Sequence, residues 1–331
     1  MIECIFTIDY EIFGNGEGSL KELLYNPLEE LGKIFKEYES RFVIFVEVAE
    51  LEMIEKYKAD SHIDLIKQQI KKFYNDGFEI GLHIHPWWYN AYFNKEKKWT
   101  FNYKNYNLCN FPIEKIREII NRGIYYLRNI LNVLEYTPLS FRAGHLLFQP
   151  TKNLAYVLSE KGIKIDSSVY KGGMWYQQKI DYRNTITNGN YWKFKDDVTI
   201  SDSNGILLEI PVHTKFIPIW KIFTSKRIGV QKMNSSIIKV GRNKLSRIRN
   251  YLRFKYPIKF DFCEMNLREL KETINEILIE DEKDPKSFKP LVAIGHTKEL
   301  IDLRTVKSFL NFLYEKRIKI STFNGIYSKC I

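Results

Sequence analysis

Five short groups of acidic, histidine and arginine side chains follow apolar runs in this sequence, and their residue types suit metal-assisted hydrolysis. The groups are Asp9 with Glu11, His83 with His85, Arg142, Asp166, and His296. Each apolar run is short, as in a buried strand. Because side chains at the C-terminal ends of parallel strands meet at one face of a barrel, we expect these groups to share one active site.

The spacing of two of these groups predicts a metal site. His83 and His85 are two residues apart, so in an extended strand both side chains point the same way, roughly 6.6 Å apart. Asp9 and Glu11 have the same spacing, which lets one carboxylate bind a metal while the other acts as a base. Two histidines and one carboxylate leave a coordination position for water, as in catalytic zinc sites. The alternative is a histidine pair in a polar loop or core, without metal.

The rest of the chain alternates strand-like and helix-like stretches, which indicates an α/β fold with a parallel sheet or barrel. The predicted strands cover residues 2–9, 41–48, 77–82, 139–142, 162–166, 206–212, 291–295 and 318–323. The predicted helices cover 20–38, 113–134, 150–161, 266–280 and 299–316. We expect a single domain over residues 1–331.

Residues 86–111 interrupt this alternation with ten aromatic residues. The stretch looks too polar and irregular for a core element, so we predict a long loop that lines a substrate groove through Trp87, Trp88 and Tyr89. The alternative is a loop folded onto the barrel. His145 and His213 are ambiguous, since either could contact substrate or metal.

The net charge of +11 is concentrated in residues 215–260, which carry 13 Lys and Arg and no Asp or Glu. The rest of the chain therefore carries 11 − 13 = −2. Apolar residues at helical spacing predict a basic amphipathic helix in this insertion, which could bind an anionic membrane surface or a pyrophosphate group. The alternative is a solvated helix packed on the barrel. Nucleic acid is disfavoured because no recognition motif accompanies the charge.

The sequence resembles the polysaccharide deacetylases with a NodB-type domain (carbohydrate esterase family 4-like) from Thr7 to about Phe323. Those enzymes open with a Thr-Phe-Asp-Asp type motif, for which Thr7-Ile8-Asp9-Tyr10-Glu11 stands here. The resemblance implies a distorted (β/α)7-type barrel with insertions. It also implies that Glu11, His83 and His85 bind a divalent metal, with zinc expected first and cobalt, nickel or manganese as alternatives.

The same resemblance implies roles for four further side chains. Asp9 corresponds to the general base, and Arg142 to the arginine that positions this base. His296 corresponds to the general acid, and Asp166 to the acid that orients this histidine. The sequence departs from the usual pattern in its HxH spacing, where the family has HxxxH.

Taken together, the residues and the resemblance imply removal of an N-acetyl or N-formyl group from an amino sugar. The first predicted strand begins almost at Met1, so we expect a cytoplasmic protein, with a peripheral position at the inner membrane face as the alternative. That location favours a nucleotide- or lipid-linked carbohydrate substrate of O-antigen or capsule synthesis. The alternatives are a non-sugar amide hydrolase, such as one acting on a cyclic ureide, and a non-catalytic protein that associates with membranes or polyanions.

Overall fold

A computed structural model describes residues 1–185, 191–218, 220, 224, 226–230 and 255–331. The strands are β1 (Ile2–Tyr10), β2 (Val43–Glu47), β3 (Glu79–Ile84), β4 (Tyr92–Phe93), β5 (Trp99–Thr100), β6 (Ser140–Ala143), β7 (Ile165–Asp166), β8 (Met174–Trp175), β9 (Ile180–Asp181), β10 (Trp192–Phe194), β11 (Leu207–Glu209), β12 (Thr214–Pro218), β13 (Lys255–Lys259), β14 (Lys289–His296) and β15 (Lys319–Ser321).

The helices cover the outside of this sheet. They are α1 (Asn26–Glu37), which continues a π-helical turn at Lys21–Tyr25, α2 (Val48–Tyr57), α3 (Ile63–Asn75), α4 (Ile113–Leu131), α5 (Lys152–Glu160), α6 (Leu267–Lys283), α7 (Leu303–Glu315) and α8 (Phe323–Cys330). The apolar positions of α1, α3, α4 and α7 recur with helical spacing and are buried against the sheet, as expected of amphipathic helices.

The main sheet has the strand order β10-β11-β7-β6-β3-β2-β1-β14, and β15 pairs with the first half of β1. All neighbours are parallel except β10 and β11. β2 is buried at every position, as expected for a parallel strand covered on both faces. Val212, just beyond β11, forms a parallel bridge with Val292 in β14. The two ends of the curled sheet therefore meet, and the predicted distorted (β/α) barrel is confirmed.

The register of this sheet places the candidate residues side by side. Asp9 in β1 lies opposite His296 in β14. On the other side, Glu47 in β2 lies opposite His83 in β3, and His83 lies opposite Arg142 in β6. Five side chains that are far apart in sequence therefore occupy the C-terminal ends of five neighbouring strands.

The structure differs from the sequence interpretation in two places. The aromatic stretch, which looked too polar for a core element, contributes Trp87 and Trp88 to the hydrophobic core, as in the alternative of a loop folded onto the barrel. The ends of the basic insertion form an antiparallel hairpin of β12 and β13. The amphipathic helix predicted within that insertion lies outside the described residues. No helix in the described part of the chain is both long and apolar enough to cross a membrane.

Replacing Trp88 with alanine is expected to lower the free energy of unfolding by about 3–5 kcal/mol, the usual cost of removing a buried tryptophan. Its ring is fully buried and packs edge-on against Trp99 and Phe101, with ring centroids 5.1 and 4.8 Å away. Urea denaturation measures the loss. Tyr92→Ala is the matched control, because Tyr92 is 56% exposed. Equal effects of the two substitutions would contradict the assignment of Trp88 to the core.

Candidate functional site

A buried ion pair between Arg142 and Asp9 lies at the centre of the site. Arg142 Nη1 donates to Asp9 Oδ1 at 2.6 Å, and both side chains are almost inaccessible to solvent. The guanidinium also donates to Thr7 Oγ1 and to the main-chain carbonyl of Ser167, both at 2.9 Å, and it lies over the ring of Phe45. These contacts hold the Arg142 guanidinium in one orientation. The second carboxylate oxygen of Asp9, Oδ2, therefore points in a defined direction.

Burial alone would raise the pKa of Asp9. The nearby guanidinium of Arg142, with His83 and His296, outweighs burial and lowers that pKa below its usual value. Asp9 is therefore ionised at neutral pH, as a general base must be.

His296 faces the free side of Asp9 and is backed by another carboxylate. Its Nε2 lies 3.5 Å from Asp9 Oδ2, and its Nδ1 lies 3.0 Å from Glu299 Oε2. Burial would lower the pKa of His296, but the charges of Glu299 and Asp9 raise it to about 9. A ligand atom of Asp261 lies within 4.8 Å of those of His296 and Glu299. His296 is thus held protonated at neutral pH, with Nε2 directed toward the site.

The predicted role of Asp166 needs correction. Asp166 is buried and accepts hydrogen bonds from the hydroxyl of Ser168 at 2.7 Å and from the main-chain N–H of Ser168 at 3.1 Å. Burial raises its pKa to about 6. The carboxylate that contacts His296 Nδ1 is that of Glu299, three residues further along the chain, which ends the 3₁₀ turn after β14. Asp166 instead fixes the loop after β7, where Ser167 holds Arg142.

Glu11, Glu47, His83 and His85 form a second buried group beside Asp9, and the four ligand atoms lie within 4.8 Å of one another. Glu11 Oε2 lies 3.3 Å from His83 Nε2 and 3.1 Å from His85 Nδ1. Glu47 Oε2 lies 2.9 Å from His85 Nδ1. Glu11, His83 and His85 were predicted from the sequence, and Glu47 was not.

The chemistry of this group fits a divalent metal. Tetrahedral zinc needs nitrogen and oxygen donors roughly 3.4 Å apart, close to the separations seen here. His83 Nδ1 lies 2.8 Å from the Arg142 carbonyl, which can only accept, so Nδ1 carries the hydrogen and neutral His83 presents a lone pair at Nε2. The buried Glu47 Oε2 is paired with His85 Nδ1 at 2.9 Å, without the alignment of a hydrogen bond. The cluster could therefore hold a metal ion, whose identity the residues leave open.

Lys298 and Glu50 are the titratable side chains next to this cluster. Lys298 Nζ donates to Glu11 Oε1 at 2.7 Å and to the Ile12 carbonyl at 3.1 Å. Burial opposes ionisation of Glu11, but Lys298 and His85 lower the pKa of Glu11 well below its usual value. Burial, followed by the charge of Glu47, raises the pKa of Glu50 well above its usual value. The Lys298 ammonium thus offsets the negative charge of Glu11.

Aromatic rings form one wall of the cluster. His145 is stacked on Trp87 and Tyr106, with ring centroids 5.0 and 4.6 Å away, and lies 4.8 Å from His85. Burial and the charge of His85 lower the pKa of His145 well below its usual value. Its backbone has a φ of 53°, a strained conformation for a residue with a side chain. His145 is therefore a neutral ring fixed beside the metal cluster, and its predicted contact with substrate stays a prediction.

The other predicted substrate contacts have different surroundings. Trp88 is a core residue, and Tyr89 packs under the guanidinium of Arg122, 4.1 Å from its ring centroid. Both residues have packing contacts within the protein, and their predicted contact with substrate stays a prediction. The ring of His213 packs against Phe260, at 6.0 Å between centroids, and burial lowers its pKa to about 4. The predicted role of His213 stays untested.

Three site residues were not predicted from the sequence: Glu47, Glu299 and Lys298. Glu47 ends an apolar run, Phe-Val-Ile-Phe-Val, so a carboxylate at the end of a predicted central strand was the available signal. Glu299 and Lys298 follow His296 by three and two residues, and the turn after β14 brings both back toward the site. For these two residues, the available sequence signal was their position within three residues of a predicted functional histidine.

The sequence matches no protein-family model and no curated protein sequence. Solved structures with a similar fold include proteins named as polysaccharide deacetylases from Mycobacterium smegmatis (14% identity, TM-score 0.52, covering 99% of this chain and 90% of that one) and from Pseudomonas aeruginosa PAO1 (13%, 0.51, 98% and 89%). A GH57 branching enzyme from Thermococcus kodakaraensis is also similar (11%, 0.55, 98% and 70%).

These similarities establish that the chain has a NodB-type polysaccharide deacetylase fold. The branching enzyme shares the architecture but has a different name and activity. A fold of this kind hosts more than one reaction, so the reaction has to be argued from the site residues.

Proposed function

We propose that this protein is a metal-dependent hydrolase that removes an N-acetyl or N-formyl group from an amino sugar. The observation that carries the proposal is the position of Asp9. It is held by Arg142 at 2.6 Å, faces His296 at 3.5 Å, and lies two residues from Glu11 in the metal-type cluster. A base, an acid and a set of side chains suited to binding a metal ion thus converge at the ends of adjacent strands.

The side chains divide the reaction between them. Asp9 accepts a proton from the attacking water, while Arg142 keeps the carboxylate ionised and oriented. His296 donates a proton from Nε2 to the departing amine, because an amine anion is a poor leaving group. Glu299 keeps His296 protonated and fixes the direction of Nε2.

Glu11, His83 and His85 would hold the divalent ion, with Glu47 either completing the donor set or orienting His85. When bound, a divalent ion such as zinc polarises the amide oxygen and lowers the pKa of water. His83 and His85 must be neutral to act as ligands. Burial works against protonation of His85, but Glu11 and Glu47 raise its pKa to about 10 without a metal, so the ion would displace a proton there.

A panel of N-acetylated and N-formylated amino sugars tests the proposed reaction. Each sugar is offered free, nucleotide-linked and lipid-linked, with zinc, cobalt, nickel or manganese added, and released acetate or formate is measured. A cyclic ureide is included as a non-sugar amide substrate. Hydrolysis of the ureide alone would favour the alternative reaction, and no turnover of any compound by metal-loaded protein would overturn the enzymatic proposal.

The activity is expected to fall as the pH rises through about 9, the pKa of His296. A general acid must be protonated, so kcat/KM should be level below this pH and drop about tenfold for each further unit. Removing the charge of Glu299 lowers that pKa toward the ordinary value of 6.5. The alkaline limb of Glu299→Gln should therefore lie at lower pH. An unchanged limb would exclude the Glu299–His296 contact as its cause.

The basic segment supports the choice of a nucleotide- or lipid-linked substrate. Replacing Lys244, Arg247 and Arg249 with serine removes three of 13 positive charges in a segment without acidic residues. We expect weaker, less salt-dependent binding to vesicles with anionic lipid, or a raised KM for a pyrophosphate-linked sugar. Sedimentation with vesicles and steady-state kinetics measure the two effects. Unchanged binding and KM would show that the segment takes no part in substrate or membrane recognition.

A further inference from the structure

His296 also belongs to a second group of side chains whose types suit a metal ion. Asp261, His296 and Glu299 each offer a ligand atom, and these atoms lie within 4.8 Å of one another. The group lies on the Nδ1 side of the imidazole, since Nδ1 faces Glu299 at 3.0 Å while Nε2 faces Asp9 at 3.5 Å. Two carboxylates with one imidazole form a donor set that zinc and similar divalent ions bind. Asp261 has no part in the reaction proposed above.

The chain brings Asp261 to His296 by pairing with β14. The segment after β13 forms a parallel bridge between Asp261 and Ile294, and Ile294 precedes His296 by two residues in the strand. The main-chain N–H of Phe262 donates to the Ile294 carbonyl at 3.0 Å, which fixes this segment. Side chains two residues apart in a strand share one face. The pairing therefore places Asp261 on the face of the sheet that carries His296.

One carboxylate oxygen of Asp261 is held by the main chain, whereas the other lacks a donor. Asp261 Oδ1 accepts from the N–H groups of Cys263 at 2.9 Å and of Glu264 at 3.1 Å. Asp261 Oδ2 is buried and has no hydrogen-bond partner among the residues that the structure describes. A buried carboxylate oxygen without a partner is costly. A cation bound between Asp261 and His296 would remove that cost.

The carboxyl groups around Asp261 oppose one another's ionisation. Burial raises the pKa of Asp261, a change that Lys259 opposes and the charge of Glu299 reinforces. Burial, followed by the charge of Asp261, raises the pKa of Glu264 to about 7. A divalent cation among these groups would offset their repulsion, because a bound ion is often the largest charge in such a site.

We propose that Asp261, His296 and Glu299 form a second divalent-metal site, and that an ion bound there inhibits the enzyme. With three protein donors in place of four, this site is expected to bind more weakly than the cluster described above. The metal binding stands by itself, whereas the inhibition rests on the proposed function, in which His296 is the general acid.

Inhibition follows from the loss of a proton by His296. The imidazolium carries a hydrogen on each nitrogen, and an ion can take the lone pair of Nδ1 only after that hydrogen has passed to solvent as a proton. The ring is then a neutral, metal-bound imidazole that keeps its hydrogen on Nε2, the nitrogen that faces Asp9. Because this N–H is a much weaker acid than an imidazolium, the departing amine has no effective proton donor.

Equilibrium dialysis against rising free zinc at pH 7 tests the site. The His83→Ala, His85→Ala background removes two donors of the stronger cluster, so the remaining ion reports on the second site. Adding Asp261→Asn should weaken this binding about tenfold or more, since even second-shell contacts are worth 10–100-fold in metal affinity. Asparagine keeps the Oδ1 acceptor and hence the main-chain hydrogen bonds. Asp64→Asn, at an exposed position of α3, is the matched control.

Inhibition is measured on the protein with its histidine pair intact. Hydrolysis of an N-acyl amino sugar should rise as zinc fills the stronger cluster and fall about tenfold or more once the second ion binds, since general-acid catalysis contributes 10²–10⁴-fold. Asp261→Asn, compared with its own maximal rate, should need about tenfold more zinc for the same fall. Asp64→Asn should follow the parent protein.

Equal zinc binding by Asp261→Asn and Asp64→Asn would place the ion elsewhere and overturn the site, as would the absence of binding in the histidine-pair background. Glu299→Gln, tested for binding alone, removes another donor and replaces Asp261→Asn if that variant melts below the parent. Hydrolysis that continues unchanged with the second ion bound would overturn the inhibition. Zinc binding that depends on Asp261, in a protein without hydrolase activity, would retain the site and reject the reaction.

Discussion

A His83→Ala, His85→Ala double variant is expected to lose the divalent ion of the metal-loaded protein, about one per chain for a mononuclear site. The two imidazoles supply half of the four ligand atoms that lie within 4.8 Å of one another. Activity should fall by more than about 10²-fold, since weakening second-shell contacts alone costs 10–100-fold. Elemental analysis after dialysis measures the ion. His62→Ala is the control, because the His62 side chain is 39% exposed and the residue directly precedes α3.

A double variant that keeps its metal would contradict this assignment. Asp261, His296 and Glu299 would then be the next place to look, because their ligand atoms also lie within 4.8 Å of one another. Loss of the ion in Asp261→Asn, Glu299→Gln would locate it there. A parent protein that binds no zinc, cobalt, nickel or manganese would remove the proposed mechanism altogether.

Strand periodicity predicts two pairs of site residues, whereas Arg142 and His296 were predicted from their positions after apolar runs and from the resemblance. Asp9 and Glu11, like His83 and His85, are two residues apart, and this spacing places both members of each pair on one face of a strand. The order of strands across a sheet cannot be read from such spacing. The proximity of Glu47 to His85 depends on β2 lying between β1 and β3, which is a property of the assembled sheet.

The assignment of Asp166 shows the same limit from another direction. A buried acid at a strand end can contact any of several neighbours, and only the resemblance indicated His296 as the partner of Asp166. The structure turns the Asp166 carboxylate toward Ser168, whose hydroxyl and main-chain N–H donate to it at 2.7 and 3.1 Å. Glu299, only three residues from His296, reaches its imidazole through the turn after β14. A residue close to His296 in the chain thus supplies its carboxylate partner, which the order of motifs along the sequence does not identify.

The aromatic stretch was misread for an energetic reason. Its many polar residues predicted a groove-lining loop without core residues, but a few large rings determine where such a segment packs. Each buried aromatic side chain removes 150–250 Å² from contact with water. Trp87 and Trp88 together therefore outweigh the polar residues around them, which remain at the surface.

An Asp9→Asn variant is expected to lose about 10²–10⁴-fold in kcat, the usual contribution of a general base. Asparagine has nearly the shape of aspartate but cannot accept the proton of the attacking water. The metal content should not change, because the cluster donors come from Glu11, Glu47, His83 and His85. Steady-state kinetics and elemental analysis on the same preparation measure both quantities. Activity within about twofold of the parent would show that Asp9 is not the base.

The alternative is that Asp9 is only the structural partner of Arg142, and stability measurements separate the two roles. Removing one member of a buried ion pair costs about 3–5 kcal/mol, because the other charge is left unpaired. Replacing both members, as in Asp9→Asn with Arg142→Met, leaves no such charge and should recover much of that loss. If Asp9 is structural, the double variant regains activity as it regains stability. If Asp9 is the base, stability returns while kcat stays low, because no carboxylate remains to take the proton.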